Sequence, residues 1–244
     1  MCSKSFEITK GTVVASLKKE NKFSQLVKNN VDSKNQLKHG EFIRFYNPDG
    51  KGKRIMFAGN SITLHGVKED IGWKNEWGMA ASQKEKDYVH LIMSDVQKKD
   101  PDASFCICQV ASWEVNYKNG SKVYDLYEVA RDFEADIIIM RFVENCRADG
   151  FDEHVFKEEL NKFINYLNPQ NKAQIIFTTS FWRHPGDDAI RQIAAQRGCA
   201  LVDLGDLGEN DEMMAKGLFW HEGVAMHPGD KGMEFIAKRI LEYI

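Results

Sequence analysis

The sequence predicts an α/β protein built on a parallel sheet with helices on both faces, a three-layer α/β/α sandwich. Three observations carry that expectation. Residues 54–58, 104–110, 136–142, 173–179 and 199–202 are short, mostly apolar runs, as strands buried on both faces are. Between and after them, 88–98, 122–133, 152–167, 187–197 and 231–244 repeat their apolar residues at helical spacing. At 244 residues the chain is long enough to bury a full core as one large domain with a small extension.

Each element has a local reason. Run 54–58 is closed by Gly59, which permits a sharp reversal at a strand end. Helix 88–98 stops before Asp100-Pro101, and helix 152–167 before Pro169, because proline disfavours helical backbone in the residue ahead of it. Gly198 ends helix 187–197. The last helix, 231–244, places Met233, Ile236, Ala237 and Ile240 on one face. Residues 1–50 are polar, lysine-rich and mixed in pattern, with short strands expected at 6–16 and 41–46. Asn47-Pro48-Asp49-Gly50 is a strong turn signal before the first core strand. The expected division is an N-terminal extension, 1–50, and a catalytic domain, 51–244.

Composition narrows the function. With 33 basic and 36 acidic residues and a net charge of −3, the chain has no electrostatic footprint for nucleic acid or an anionic membrane. The 5 cysteines show no zinc-site spacing, and Cys106 and Cys108 are expected on opposite faces of their strand. No apolar leader follows Met1, so the chain as written reads as cytoplasmic, or as secreted if a leader has been removed.

The stretch Arg54-Ile55-Met56-Phe57-Ala58-Gly59-Asn60-Ser61 delivers Ser61 to a strand's C-terminal end, where open α/β sheets bind their ligands. A serine there becomes a nucleophile when a histidine takes its proton. Three further positions invite attention. Gly78, in a Trp-rich loop, could expose a backbone N–H; Asn145, after run 136–142, offers an amide; His227 lies in the loop before the last helix. Alone, each has an ordinary role as turn, cap or loop residue.

In order, these stretches resemble the four blocks of the SGNH (GDSL-like) hydrolase superfamily. Gly59-Asn60-Ser61-Ile62-Thr63 is similar to the first block, usually G-D-S-I-T, and His227-Pro228 leading to Gly232-Met233 is similar to the last. The resemblance covers roughly residues 54–244 and implies a five-stranded parallel sheet in the order 2-1-3-4-5. It implies Ser61 as nucleophile, His227 as base, and the N–H groups of Ser61 and Gly78 with the Asn145 amide as an oxyanion hole. The α/β-hydrolase elbow is a different pattern, needing glycine where Thr63 stands.

Two positions depart from the family. Val143 stands where the third block has glycine, and Val224 where the last block has its aspartate. The third member of a triad orients the imidazole and stabilises its charged form. Glu222 is the nearest acidic substitute; Asp203 and a main-chain carbonyl are the alternatives. No cofactor or metal is expected, since H-E-x-x-H from His221 would need histidine where Ala225 stands.

The reaction implied is serine esterase chemistry on a small acyl ester such as acetyl, with a carbohydrate or another small polar alcohol as substrate. Trp73, Trp77 and Trp182 fall in or near the expected active-end loops, and Trp77 and Trp182 are the expected substrate contacts. Packing of the loops is the other use for such rings. Thioesterase or lysophospholipase activity would use the same site. Val143 and Val224 motivate a different class, a ligand-binding protein that has lost turnover.

Overall fold

The computed structural model describes residues 42–244; the strand expected at 6–16 lies outside the described residues. Six strands form one sheet: β1 (Ile43–Tyr46), β2 (Arg54–Gly59), β3 (Ser104–Gln109), β4 (Ile137–Arg141), β5 (Gln174–Thr178) and β6 (Ala200–Val202). Their spatial order is β1-β3-β2-β4-β5-β6. The five strands from β2 onward are parallel and follow the expected 2-1-3-4-5 order. β1 adds a sixth, antiparallel to β3, with Ile43 opposite Cys108 and Tyr46 opposite Phe105. Residues 43–46 of the expected extension therefore belong to the sheet. The Asn47-Pro48-Asp49-Gly50 turn closes with the Gly50 N–H donating to the Asn47 carbonyl at 2.9 Å.

Side-chain alternation divides the core between the two faces. Ile55, Phe57, Phe105, Ile107, Ile137, Ile139 and Ile176 pack under helices α1 (Tyr88–Lys99) and α7 (Asp230–Leu241), which supply Ile92, Val96, Met233 and Ile236. Met56, Ala58, Cys106, Cys108, Ile138, Met140 and Phe177 face the other way. There they meet α4 (Glu153–Leu167) and α5 (Asp187–Arg197), through Phe156, Leu160, Phe163, Ile190 and Ile193. Cys106 and Cys108 thus share one face, against expectation, because a period of two returns residue i+2 to the side of residue i. Burial pushes both thiols up, so they behave as small apolar side chains.

Short helices complete the chain: α2 (Ala111–Val115), α3 (Glu128–Arg131) and α6 (Glu222–Ala225). The helix expected at 122–133 is instead a 3-10 run, Tyr117–Tyr127, followed by α3. Its buried residues Tyr117, Gly120, Val123 and Leu126 recur every third position, the spacing at which a 3-10 helix stacks its side chains.

Candidate active site

The C-terminal ends of β2 and β4, which are neighbours in the sheet, carry the serine and asparagine loops. Gly59 ends β2, and a Cβ there would lie 2.0 Å from Thr63 Oγ1, so only glycine lets the turn fold back this tightly. The Thr63 and Leu64 N–H groups both donate to the Asn60 carbonyl at 2.9 Å, holding Ser61 at the crest. No group among the described residues accepts from the Ser61 N–H.

The loop ahead of α7 brings His227 back to this crest, with Nε2 2.9 Å from Ser61 Oγ. Nδ1 of the same ring is 2.6 Å from the Gly223 carbonyl. A carbonyl can only accept, so Nδ1 carries the proton and Nε2 presents its lone pair to the serine hydroxyl. That is the tautomer a base needs. Desolvation by the surrounding protein, more than the nearby Arg141 and His221 charges, holds His227 down at about 4, partly offset by the Gly223 carbonyl.

The Nδ1 position expected for Glu222 is therefore filled by the Gly223 carbonyl. Glu222 is the exposed first residue of α6, and the carbonyl that reaches the imidazole belongs to the next residue, Gly223. Asp203 is engaged elsewhere: it accepts from Arg191 at 2.7 Å, Thr179 Oγ1 at 3.1 Å and the Gly205 N–H at 3.0 Å. Val224, in the family's aspartate position, is fully buried with Trp73, Met79 and Ala215. Activity of Glu222→Gln and of Asp203→Asn should each stay within about threefold of wild type, since neither loses a contact to the imidazole. A hundredfold fall in either would restore a carboxylate to the orienting role.

Gly78 requires a second correction. Its N–H donates to Asp87 Oδ2 at 3.0 Å and is not presented to a substrate. The glycine is needed for packing, because a Cβ there would sit 2.4 Å from the Ile62 carbonyl oxygen. Asp87 is fully buried and also caps α1 by accepting from the His90 N–H at 2.8 Å.

The third loop is built around two carboxylates. Glu114, on α2 directly after β3, is fully buried. Its Oε1 accepts from the Val143 N–H at 2.6 Å and from Asn60 Nδ2 at 3.2 Å, and its Oε2 from Asn145 Nδ2 at 2.6 Å. Glu144 accepts from Asn60 Nδ2 at 2.6 Å, the Phe181 N–H at 3.1 Å and the fully buried Arg141 guanidinium. Burial, then the charge of Glu144, pushes the Glu114 carboxyl up, while its three N–H donors pull it back. Val143 adopts φ 98°, a conformation suited to glycine and strained for a β-branched residue. Val143 thus stands in a conformation that favours glycine, the residue found there in the block it resembles. Glu114 escaped the sequence reading; its signal was a lone carboxylate in Val110-Ala111-Ser112-Trp113-Glu114-Val115, just past a strand end.

The two expected substrate tryptophans differ. Trp182 stands against the imidazole, ring centres 5.0 Å apart at 79°, and its Nε1 donates to the Met226 carbonyl at 3.1 Å. Trp77 is tied into its own loop, donating to the Ala81 carbonyl at 2.9 Å and packing edge-on to the fully buried Trp73 at 6.0 Å. Trp220, which was not anticipated, is 74% exposed on the loop entering His221. Among the described residues, no group of His, Cys, Asp and Glu is arranged to hold a metal ion, and no helix is long and apolar enough to cross a membrane.

No protein-family profile matches the chain. Over 139 residues it is 28% identical to transcription elongation factor GreA of Borreliella burgdorferi, a match covering 53% of this chain and 14% of that protein. Among solved structures, it is similar to a two-domain esterase active on acetylated mannans, with TM-score 0.51 and 16% identity. That match covers 81% of this chain and 49% of the esterase, so the chain spans about half of that protein. An acetyl xylan esterase matches with TM-score 0.50 and 20% identity, over 78% of this chain and 99% of the other. A lipase/acylhydrolase from Enterococcus faecalis matches with TM-score 0.52 and 14% identity, over 79% and 95%. A GDSL-like protein from Parabacteroides merdae matches with TM-score 0.53 and 16% identity, over 79% of this chain and 95% of the other, and the chain carries the fold of these GDSL-like hydrolases.

Proposed function

We propose that this protein is a serine ester hydrolase that removes a small acyl group, such as acetyl, from a carbohydrate or similar polar alcohol. The observation that carries the proposal is the 2.9 Å approach of Ser61 Oγ to a His227 whose Nδ1 is spoken for by the Gly223 carbonyl. Ser61 attacks the ester carbonyl while Nε2 takes its proton, and the resulting imidazolium protonates the departing alcohol. Water then repeats the sequence on the acyl-enzyme. The Ser61 N–H and the Asn145 amide are the donors for the developing oxyanion; Gly78 is not among them.

Support for the acetyl ester comes from two of the similar folds, which belong to proteins acting on acetylated mannan and xylan. Support for a sugar alcohol comes from the rings of Trp182, against His227, and of exposed Trp220. A fluorophosphonate probe should label wild type and leave Ser61→Ala unlabelled. Equal labelling of the two would remove Ser61 from the nucleophile's role, and labelling with no ester turnover would point to a ligand-binding protein.

The pH profile follows from the imidazole. A base held at about 4 stays deprotonated well below the usual histidine range, so kcat/KM should rise with pH to a plateau reached by mildly acidic solution. A half-maximal point near the ordinary histidine value of about 6.5 would show that the ring is solvated in the working enzyme.

A further inference from the structure

We infer that Glu114 is a positioning residue for acyl transfer, its buried carboxylate setting the Val143 backbone and the Asn145 amide against the Ser61 loop. The inference rests on the esterase reading.

Glu114 joins three pieces of chain that are remote in sequence. Through Asn60 it holds the residue before the nucleophile; through Val143 and Asn145 it holds the loop after β4. Two of its three donors, Asn60 and Val143, belong to groups whose geometry is otherwise soft or strained. Asn60 is a side-chain amide shared with Glu144, and Val143 is a β-branched residue at φ 98°. A hydrogen bond from the Val143 N–H to a fixed, buried acceptor is the contact that holds the peptide in that orientation.

The third donor makes the arrangement bear on catalysis. Accepting from Nδ2, the carboxylate defines which end of the Asn145 amide carries the nitrogen and fixes its plane. A buried carboxylate beside a second one is an unfavourable choice for stability alone, since a well-packed apolar side chain would avoid both desolvation and the like charge. Glu114 makes chemical sense as the one side chain that can accept from all three donors at once.

Glu114→Gln is the discriminating variant, because it keeps the shape and one acceptor oxygen. That oxygen can still take the Val143 N–H, but the new NH2 group meets the Asn145 NH2 donor to donor. On p-nitrophenyl acetate we expect kcat to fall about 100-fold with KM within about threefold, the pattern of a lost transition-state contact. Thermal stability should fall only modestly, by about the cost of one unsatisfied buried donor. Adding Asn145→Ala should then cost little more than Asn145→Ala costs alone, because both changes disable one donor.

Wild-type kcat in Glu114→Gln, or losses that multiply with Asn145→Ala, would overturn the inference while leaving the esterase reading intact. A wild-type protein that neither turns over the ester nor reacts with the fluorophosphonate would take down both. Should Glu114→Gln not fold, Glu114→Asp serves. It keeps the charge but withdraws it by one methylene, and the same loss of kcat and the same non-additivity are expected.

Discussion

Ser61→Ala is expected to lower kcat on p-nitrophenyl acetate by about 10⁴-fold or more, and His227→Ala by a similar factor. Each loss corresponds to about 5 kcal/mol of transition-state stabilisation. The two should not add. Ser61 Oγ and His227 Nε2 share one proton-transfer path at 2.9 Å, so removing either end leaves the other without a partner. The double variant should therefore be no slower than the worse single one. What rate remains would come from binding and oxyanion donors, which neither change touches. Losses that multiplied in the double variant, or a Ser61→Ala protein within tenfold of wild type, would refute the dyad. Because a neutral carbonyl stands where a carboxylate would stabilise the imidazolium, turnover in the wild type should itself be modest.

Arg141→Met should reduce stability by about 3 kcal/mol, measured by urea unfolding. Arg141 and Glu144 are a buried pair, with side chains 0% and 5% exposed. Removing the cation leaves Glu144 with the Asn60 amide and the Phe181 N–H but no compensating charge. For a chain of this size the melting temperature should drop by about 6–12 °C. Arg141→Met with Glu144→Gln should recover part of the loss, because the uncompensated charge is then gone. Failure of the double variant to recover would assign the cost to lost packing, including that of the guanidinium on the Tyr88 ring, 5.6 Å from its centre. Loss of Arg141 also removes one of the charges that keep His227 neutral, so the acid limb of activity should move upward in pH.

The fold was legible in the sequence because uninterrupted apolar runs and helical periodicity are local properties. Strands β2 to β6 fall where the pattern put them, and their order follows from the blocks that the chain resembles. The edge strand β1 lay in a polar extension, where its pairing with β3 depends on a partner about sixty residues away. The helix expected at 122–133 failed because buried residues at every third position, Tyr117, Gly120, Val123 and Leu126, fit a 3-10 turn as well as an α-helical face.

At the site, sequence alone supplied Ser61, Asn145 and His227 as residue types at strand ends and in the last loop. It could not say what each polar atom touches. Whether the imidazole is steadied by Glu222 or by a carbonyl turns on the path of one short helical turn, which the sequence spacing leaves open and the folded backbone decides. Gly78 stood out for its possible N–H, yet that group is occupied by Asp87, nine residues on. Glu114 carried no motif at all; its role exists only where α2, the Ser61 loop and the β4 loop meet, since a hydrogen-bond acceptor is defined by the donors that tertiary packing aims at it.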